Sequence, residues 1–260
     1  FAKIGDDHKF PINKFGELAN YLIKKKIVEK FHKPSACSEE TLKRVHSESY
    51  IKHIMEKTLD RNAVKKIGFP LVDDVVRRSL VATGGTVLSA KLAIKNGVAC
   101  NTAGGSHHAN FDGGAGYCVF NDVAVAAQYL LDRGLAGKIL IIDLDVHQGN
   151  GTAEIFRKNK KVFTFSMHGK KNYPFQKIKS DLDIELLDGT EDQQYLDILN
   201  EKLNIIFDKI KPEFIFYLSG VDILKTDKLG RLSMTIEGCK LRDEIVLNKC
   251  FEKKIPVQCS

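Results

Sequence analysis

At 260 residues, 43% of them hydrophobic and 28% charged, the chain has ordinary globular composition and enough length to bury one large core. Its net charge of +7 comes from scattered lysines; the longest run, Lys24 to Lys26, suits a solvated helix face, and no basic stripe interleaved with aromatics marks a nucleic-acid surface. No apolar run reaches the ~18–20 residues of a membrane span, and six cysteines without a CxxC pair exclude a zinc ribbon or a thioredoxin-type motif.

Free thiols suit a reducing cytosol or nucleus, so the expectation is a soluble intracellular protein. Phe1 is not a start methionine, which suggests that the chain begins inside a longer product.

In chain order, apolar residues three and four apart predict helices over 13–26 and 79–95. A strand over 97–101 follows, with a loop over 102–116 that carries His107 and His108 among glycines. A helix over 121–132 leads to an apolar strand over 138–143 and the loop 144–151. Next come a strand over 161–166 with a loop over 167–176, a helix over 193–209, and a strand over 213–219 with a loop over 220–230. A helix over 235–251 and a strand over 254–259 close the series. Strands alternating with helices predict an α/β fold: one domain over 1–260, a mostly parallel sheet and helices on both faces. Ligands of such sheets bind beyond the carboxyl ends of the strands, where the polar loops lie.

Three of those loops carry chemistry. IIDLDVHQGN sets Asp143, Asp145 and His147 two apart at a strand end, where period-two geometry puts them on one face. Two carboxylates and an imidazole can hold zinc and leave a position open, as catalytic sites do; taken alone, they equally suit a helix cap and a buried histidine. FIFYLSGVDIL delivers Asp222, either a third metal ligand or a turn former. The pair His107 and His108 suits acid and base work near neutral pH, or a chance surface pair.

GGSHHA, DLDVHQGNG, FSMHG and LSGVDILKTDKLG occur here in the order of the histone deacetylase family, which the chain resembles over nearly its whole length. Gln148, Asn150 and the run Leu224, Asp227, Leu229, Gly230, Leu232 and Ser233 are most similar to class IV and its bacterial relatives. The resemblance implies the arginase/deacetylase fold and one Zn2+ per chain on Asp145, His147 and Asp222. It implies His108 as general base, His107 as its electrostatic partner, Asp143 bonded to His107, and Asn150 orienting His108 where class I relatives carry Asp. Gly105, Gly116, Tyr117 and Tyr173 would contact substrate, an acyl-lysine stem lying between the two phenol rings; as residues alone, both tyrosines could be loop packing. Structural potassium would take oxygens from Asp143, Asp145, His147, Ser166 and Met167, with a second site around Phe156, Asn159 and Val162.

The implied activity is zinc-dependent hydrolysis of an acyl amide on lysine, acetyl or longer, in a protein or peptide. Acetylpolyamine or small-metabolite hydrolysis is the alternative within the same chemistry. The family's oxyanion tyrosine follows a Gly-Gly pair after the strand matching 255–259, and the sequence ends at Ser260, so the domain is expected to lack its C-terminal segment. Without that tyrosine, a non-catalytic acyl-lysine binding module is the third reading.

Overall fold

The computed structural model describes residue 2, residues 4–5 and residues 8–260. Among the described residues six strands form one sheet: β1 (Val98–Cys100), β2 (Ile139–Asp143), β3 (Val162–Gly169), β4 (Leu182–Leu186), β5 (Phe214–Leu218) and β6 (Val257–Cys259). Their order is β1-β6-β5-β2-β3-β4, and every pairing is parallel. This is the parallel α/β sheet that the alternation of strands and helices predicts.

Every residue of β2 and β5 is buried, so alternate side chains feed two cores. Ile139, Ile141, Phe214, Phe216 and Leu218 pack with α5 (Asp73–Asn96) and α6 (Asp122–Asp132); Leu140, Ile142, Ile215 and Tyr217 pack with α8 (Asp192–Ile210) and α9 (Ile236–Glu252). Burying a large apolar side chain contributes about 1.5–3 kcal/mol. Truncation in the centre of the sheet also leaves a cavity, so Phe216→Ala is expected to lower unfolding free energy by about 3–5 kcal/mol, read from a denaturant midpoint.

Four short helices and one strand fall outside the predicted elements. α2 (Glu39–Leu42), α3 (Glu48–Glu56) and α4 (Arg61–Ile67) each start on a side-chain cap, from Ser38, Ser47 and Asp60 respectively. Asp60 accepts from the amides of Asn62 and Ala63, and Gly68 closes α4 at φ +83°, so cap and stop signals were present without a long apolar period. α7 (Asn150–Phe156) begins inside the expected loop over 144–151. β4 is a half-exposed edge strand, short and alternating between apolar and charged residues, that the expected series of long apolar strands leaves out.

Several boundaries also shift, β6 for one starting at Val257 rather than at 254. β3 runs three residues past 166, to Gly169, because residues 166–169 pair with β4, so the loop expected from 167 starts later. α5 begins at Asp73, six residues before 79, with Asp73 and Asp74 in its first turn. The first helix, α1 (Lys14–Lys24), ends before Lys26, which turns to φ +56°. Among the described residues no helix is long and apolar enough to cross a membrane.

The chain leaves β2 toward β3 on one side and leaves β5 toward β6 on the other, while β2 and β5 are neighbours. Their carboxyl ends therefore flank the switch point where parallel α/β sheets open a crevice.

Candidate active site

β2 ends at Asp143, so Asp145 and His147 lie beyond the strand rather than along its pleat. The loop brings them together by turning on its own groups. Asp143 Oδ1 accepts from the Asp145 amide at 3.2 Å, and Asp145 Oδ1 accepts from the His147 amide at 2.8 Å. From β5, Asp222 reaches across, and its Oδ1 accepts from the Val146 amide at 2.9 Å. Nδ1 of His147 then stands 3.0 Å from Asp145 Oδ1 and 3.0 Å from Asp222 Oδ2. Among the described residues these three form a group whose potential ligand atoms all lie within 4.8 Å of one another, which makes it a possible metal-binding site.

Glycines let backbones close around this point. A Cβ on Gly220 would lie 2.7 Å from Asp145 Oδ2, and one on Gly149 would lie 2.2 Å from Asp143 Oδ2. Side chains at either place would displace the carboxylates.

Beside the group sit His107 and His108, both buried, their ring centroids 4.1 Å apart. His107 Nδ1 meets Asp143 Oδ2 at 2.7 Å, and His108 Nδ1 meets Asn150 Oδ1 at 2.7 Å. The neighbouring partners give the two rings opposite protonation behaviour. Burial disfavours charge on His107, but the carboxylates of Asp143 and Asp145 outweigh it and raise its pKa to about 9. His108 is pushed well below the usual imidazole range, first by burial and then by the positive charge of His107; the Asn150 amide offsets this only in part.

The acidic group is also electrostatically poised. Asp222 is raised to about 6 by burial and by repulsion from Asp145. Burial opposes the charge on Asp145 as well, yet His107 and His147 hold its carboxyl below the usual range. His147 rises to about 10 because Asp145 and Asp222 together outweigh its burial. Two carboxylates converging on one point thus favour a positive charge between them.

The ring of Tyr173 stands edge-on over His108, with centroids 4.9 Å apart at 87°. Gly116, at φ +54°, presses against the same ring, since a Cβ there would lie 2.5 Å from His108 Cδ2. Tyr117, at φ +64°, packs instead with His8, Phe10 and Phe69. The Gly105 amide is spent on Asp122 Oδ2 at 3.1 Å, and a Cβ at this position would lie 3.6 Å from the Ser260 Cβ, just past β6.

Ser166 is the register partner of Asp143, and its hydroxyl pairs with His168 Nδ1 at 2.9 Å; Met167 beside it is buried. Phe156, Asn159 and Val162 form the turn into β3, where the Phe156 carbonyl accepts from Asn159 and the Asn159 carbonyl from Val162.

Two residues at the site escaped sequence reasoning in part or whole. Gln148, noted only as a motif position, is buried and donates to the Ile178 carbonyl at 2.7 Å and to Asp183 Oδ1 at 2.8 Å, which ties the loop after β2 to the loop bearing Tyr173. Arg242 went unnoticed although it shares the stripe Cys239, Arg242, Val246 and Cys250 with apolar residues at helical spacing.

A parallel α/β sheet that gathers carboxylates and imidazoles at its switch point has the framework of an α/β protein with its ligand site at the carboxyl ends of the strands. A family model described as the histone deacetylase domain matches residues 8–258, and the chain belongs to the histone deacetylase family, hydrolases that act on amides. It is 44% identical over 258 residues to an uncharacterized protein of Picosynechococcus, covering 98% of this chain and 86% of that one. Histone deacetylase 2 of Arabidopsis thaliana is 32% identical over 269 residues, covering 99% and 69%. Among solved structures, an HDAC homolog complexed with SAHA matches at a TM-score of 0.81 and 26% identity, over 94% of this chain and 71% of that one.

Proposed function

We propose that the chain hydrolyses an acyl amide on the side-chain nitrogen of lysine in a protein or peptide, using one zinc ion held by Asp145, His147 and Asp222. The observation that carries this is the convergence of those three residues within 4.8 Å, directly beside a histidine kept neutral. The donor set fits the ion: two carboxylates and an imidazole are ordinary zinc ligands, three protein ligands leave a fourth position open, and the mutual repulsion of the carboxylates is relieved by a cation. When bound, zinc supplies Lewis acidity toward the amide carbonyl and a water molecule.

The chain's own groups handle the protons and the positioning. His108 donates from Nδ1 to Asn150 Oδ1, which leaves Nε2 free to take a proton from water and to return one to the departing amine. His107, held charged by Asp143, keeps a positive charge 4.1 Å from the His108 ring and so favours the neutral form of His108 in the resting site. The difference between the two second partners, a carboxylate for His107 and an amide for His108, separates their roles. Tyr173 walls the approach over His108, where the aliphatic stem of an acyl-lysine would pass.

Asn150→Asp tests that division of labour. A carboxylate at 150 stabilises imidazolium at 108, so the pKa of His108 rises and the acidic limb of kcat/KM moves to higher pH. A limb that stays in place or moves down would count against His108 as the base.

Substrate class is tested by following zinc-dependent release of product from matched acetyl-lysine and myristoyl-lysine peptides and from an acetylpolyamine. Release from either peptide supports the proposal, and the ratio of the two reports acyl length, where the class IV likeness favours the longer chain. Turnover of the polyamine alone would move the substrate to small metabolites. Tight peptide binding without release would favour a binding module.

A further inference from the structure

Arg242 is the largest of the fully buried side chains, at 0% exposure in the middle of α9. A guanidinium in such a place is costly unless its charge and its donors are met. The charge is met by Asp243, whose Oδ1 lies 2.9 Å from Nε and 2.7 Å from Nη2, and which is held in turn by the Tyr217 hydroxyl at 2.5 Å. The outer donors go elsewhere. Nη1 donates to the Gly220 carbonyl at 2.5 Å and, more weakly, to the Leu144 carbonyl at 3.5 Å; Nη2 donates to the Ser219 carbonyl at 3.2 Å.

Those acceptors are not scattered. Leu144 immediately precedes Asp145, and Ser219 and Gly220 lead into Asp222. The fork therefore spans the two strand ends that deliver the carboxylates, at the point where Gly220 approaches the Asp145 Cα so closely that a Cβ would lie 2.9 Å from it. We propose that Arg242 is a positioning residue for the metal centre, fixing the separation of Asp145 from Asp222 through the backbone carbonyls before a cation arrives. The inference rests on reading those residues as metal ligands. Its physical basis is preorganisation: two partly buried carboxylates converging on one point repel, and a rigid planar fork holds their backbones together where a single ammonium could not.

The test compares wild type with R242K and Tyr217→Phe in three measurements: zinc affinity by chelator competition, the visible spectrum of the Co2+-loaded protein, and the melting temperature of the metal-free protein. R242K keeps the charge and loses the fork. Zinc affinity is expected to fall by about 10- to 100-fold with a changed Co2+ spectrum, the range seen when groups supporting metal ligands are lost. A folded R242K with wild-type affinity and an unchanged spectrum would overturn the proposal, whatever its melting temperature. If R242K does not fold, Tyr217→Phe decides, since it only frees Asp243. Weakening of zinc binding by about threefold or more supports the clamp, and unchanged affinity overturns it. A wild-type protein that binds no zinc would instead overturn the ligand reading itself, and the clamp with it.

Discussion

His108→Ala is expected to lower kcat on an acyl-lysine peptide by a factor on the order of 10^2 to 10^4, the usual contribution of a positioned acid and base, while zinc content stays at the wild-type level. The two halves of that result belong together. His108 lies within ring contact of His147, with centroids 6.0 Å apart, but its own hydrogen bond goes to Asn150 and not to the carboxylates. Removing the imidazole therefore takes away the proton carrier and leaves Asp145, His147 and Asp222 in place. A loss smaller than tenfold would mean that the proton passes through another group, and His107 would then be the first candidate. Its charged resting state argues against it as a base, because an imidazolium has no free ring lone pair to accept a proton at neutral pH.

Asp222→Asn is expected to weaken zinc binding by at least ~100-fold, beyond the range for groups that only support a ligand. The amide keeps an oxygen for the Val146 amide, which Asp222 Oδ1 now accepts, so the loop retains its shape. What it loses is the anionic charge that attracts the ion. Below about pH 6 Asp222 already holds a proton in the metal-free site, raised there by burial and by Asp145. The neutral replacement should then change the melting temperature of metal-free protein little at pH 5.5, which separates loss of a ligand from loss of a fold. Metal-free variant that unfolds at that pH would assign Asp222 a structural role instead.

The parts of this molecule that declare themselves in sequence are those that are buried on both faces. ILIID and FIFYL are continuous apolar runs because β2 and β5 lie at the centre of the sheet, and no solvent-facing residue interrupts them. LDIEL in β4 is no apolar run but alternates apolar and charged residues, since an edge strand shows one side to water. The alternation of Asp143, Asp145 and His147 suggests a pleated strand, yet the pleat stops at Asp143. The later two residues converge through side-chain to backbone bonds within the loop. Spacing thus marks residues that do converge, by a different local geometry. Arg242 shows the limit of reading composition by residue type: an arginine on a long helix is ordinarily solvated, and only the backbone carbonyls of two loops far apart in sequence reveal why this one is buried.

The residues proposed to wall the substrate approach are legible to different degrees. Tyr173 and Gly116 both press on His108, a contact fixed by loop packing that spacing alone does not encode. Tyr117 shares an aromatic cluster with His8, Phe10 and Phe69, so the segment before α1 takes part in placing that ring.

The most direct test of the account is the zinc stoichiometry of the purified protein, measured by metal analysis and by titration of metal-free protein, for wild type beside Asp145→Ala and Asp222→Asn. One tightly held Zn2+ per chain is expected in wild type, and zinc affinity at least ~100-fold weaker in both variants. Wild-type protein that holds no zinc, or variants that hold it as firmly as wild type, would contradict the metal centre on which the proposed chemistry depends.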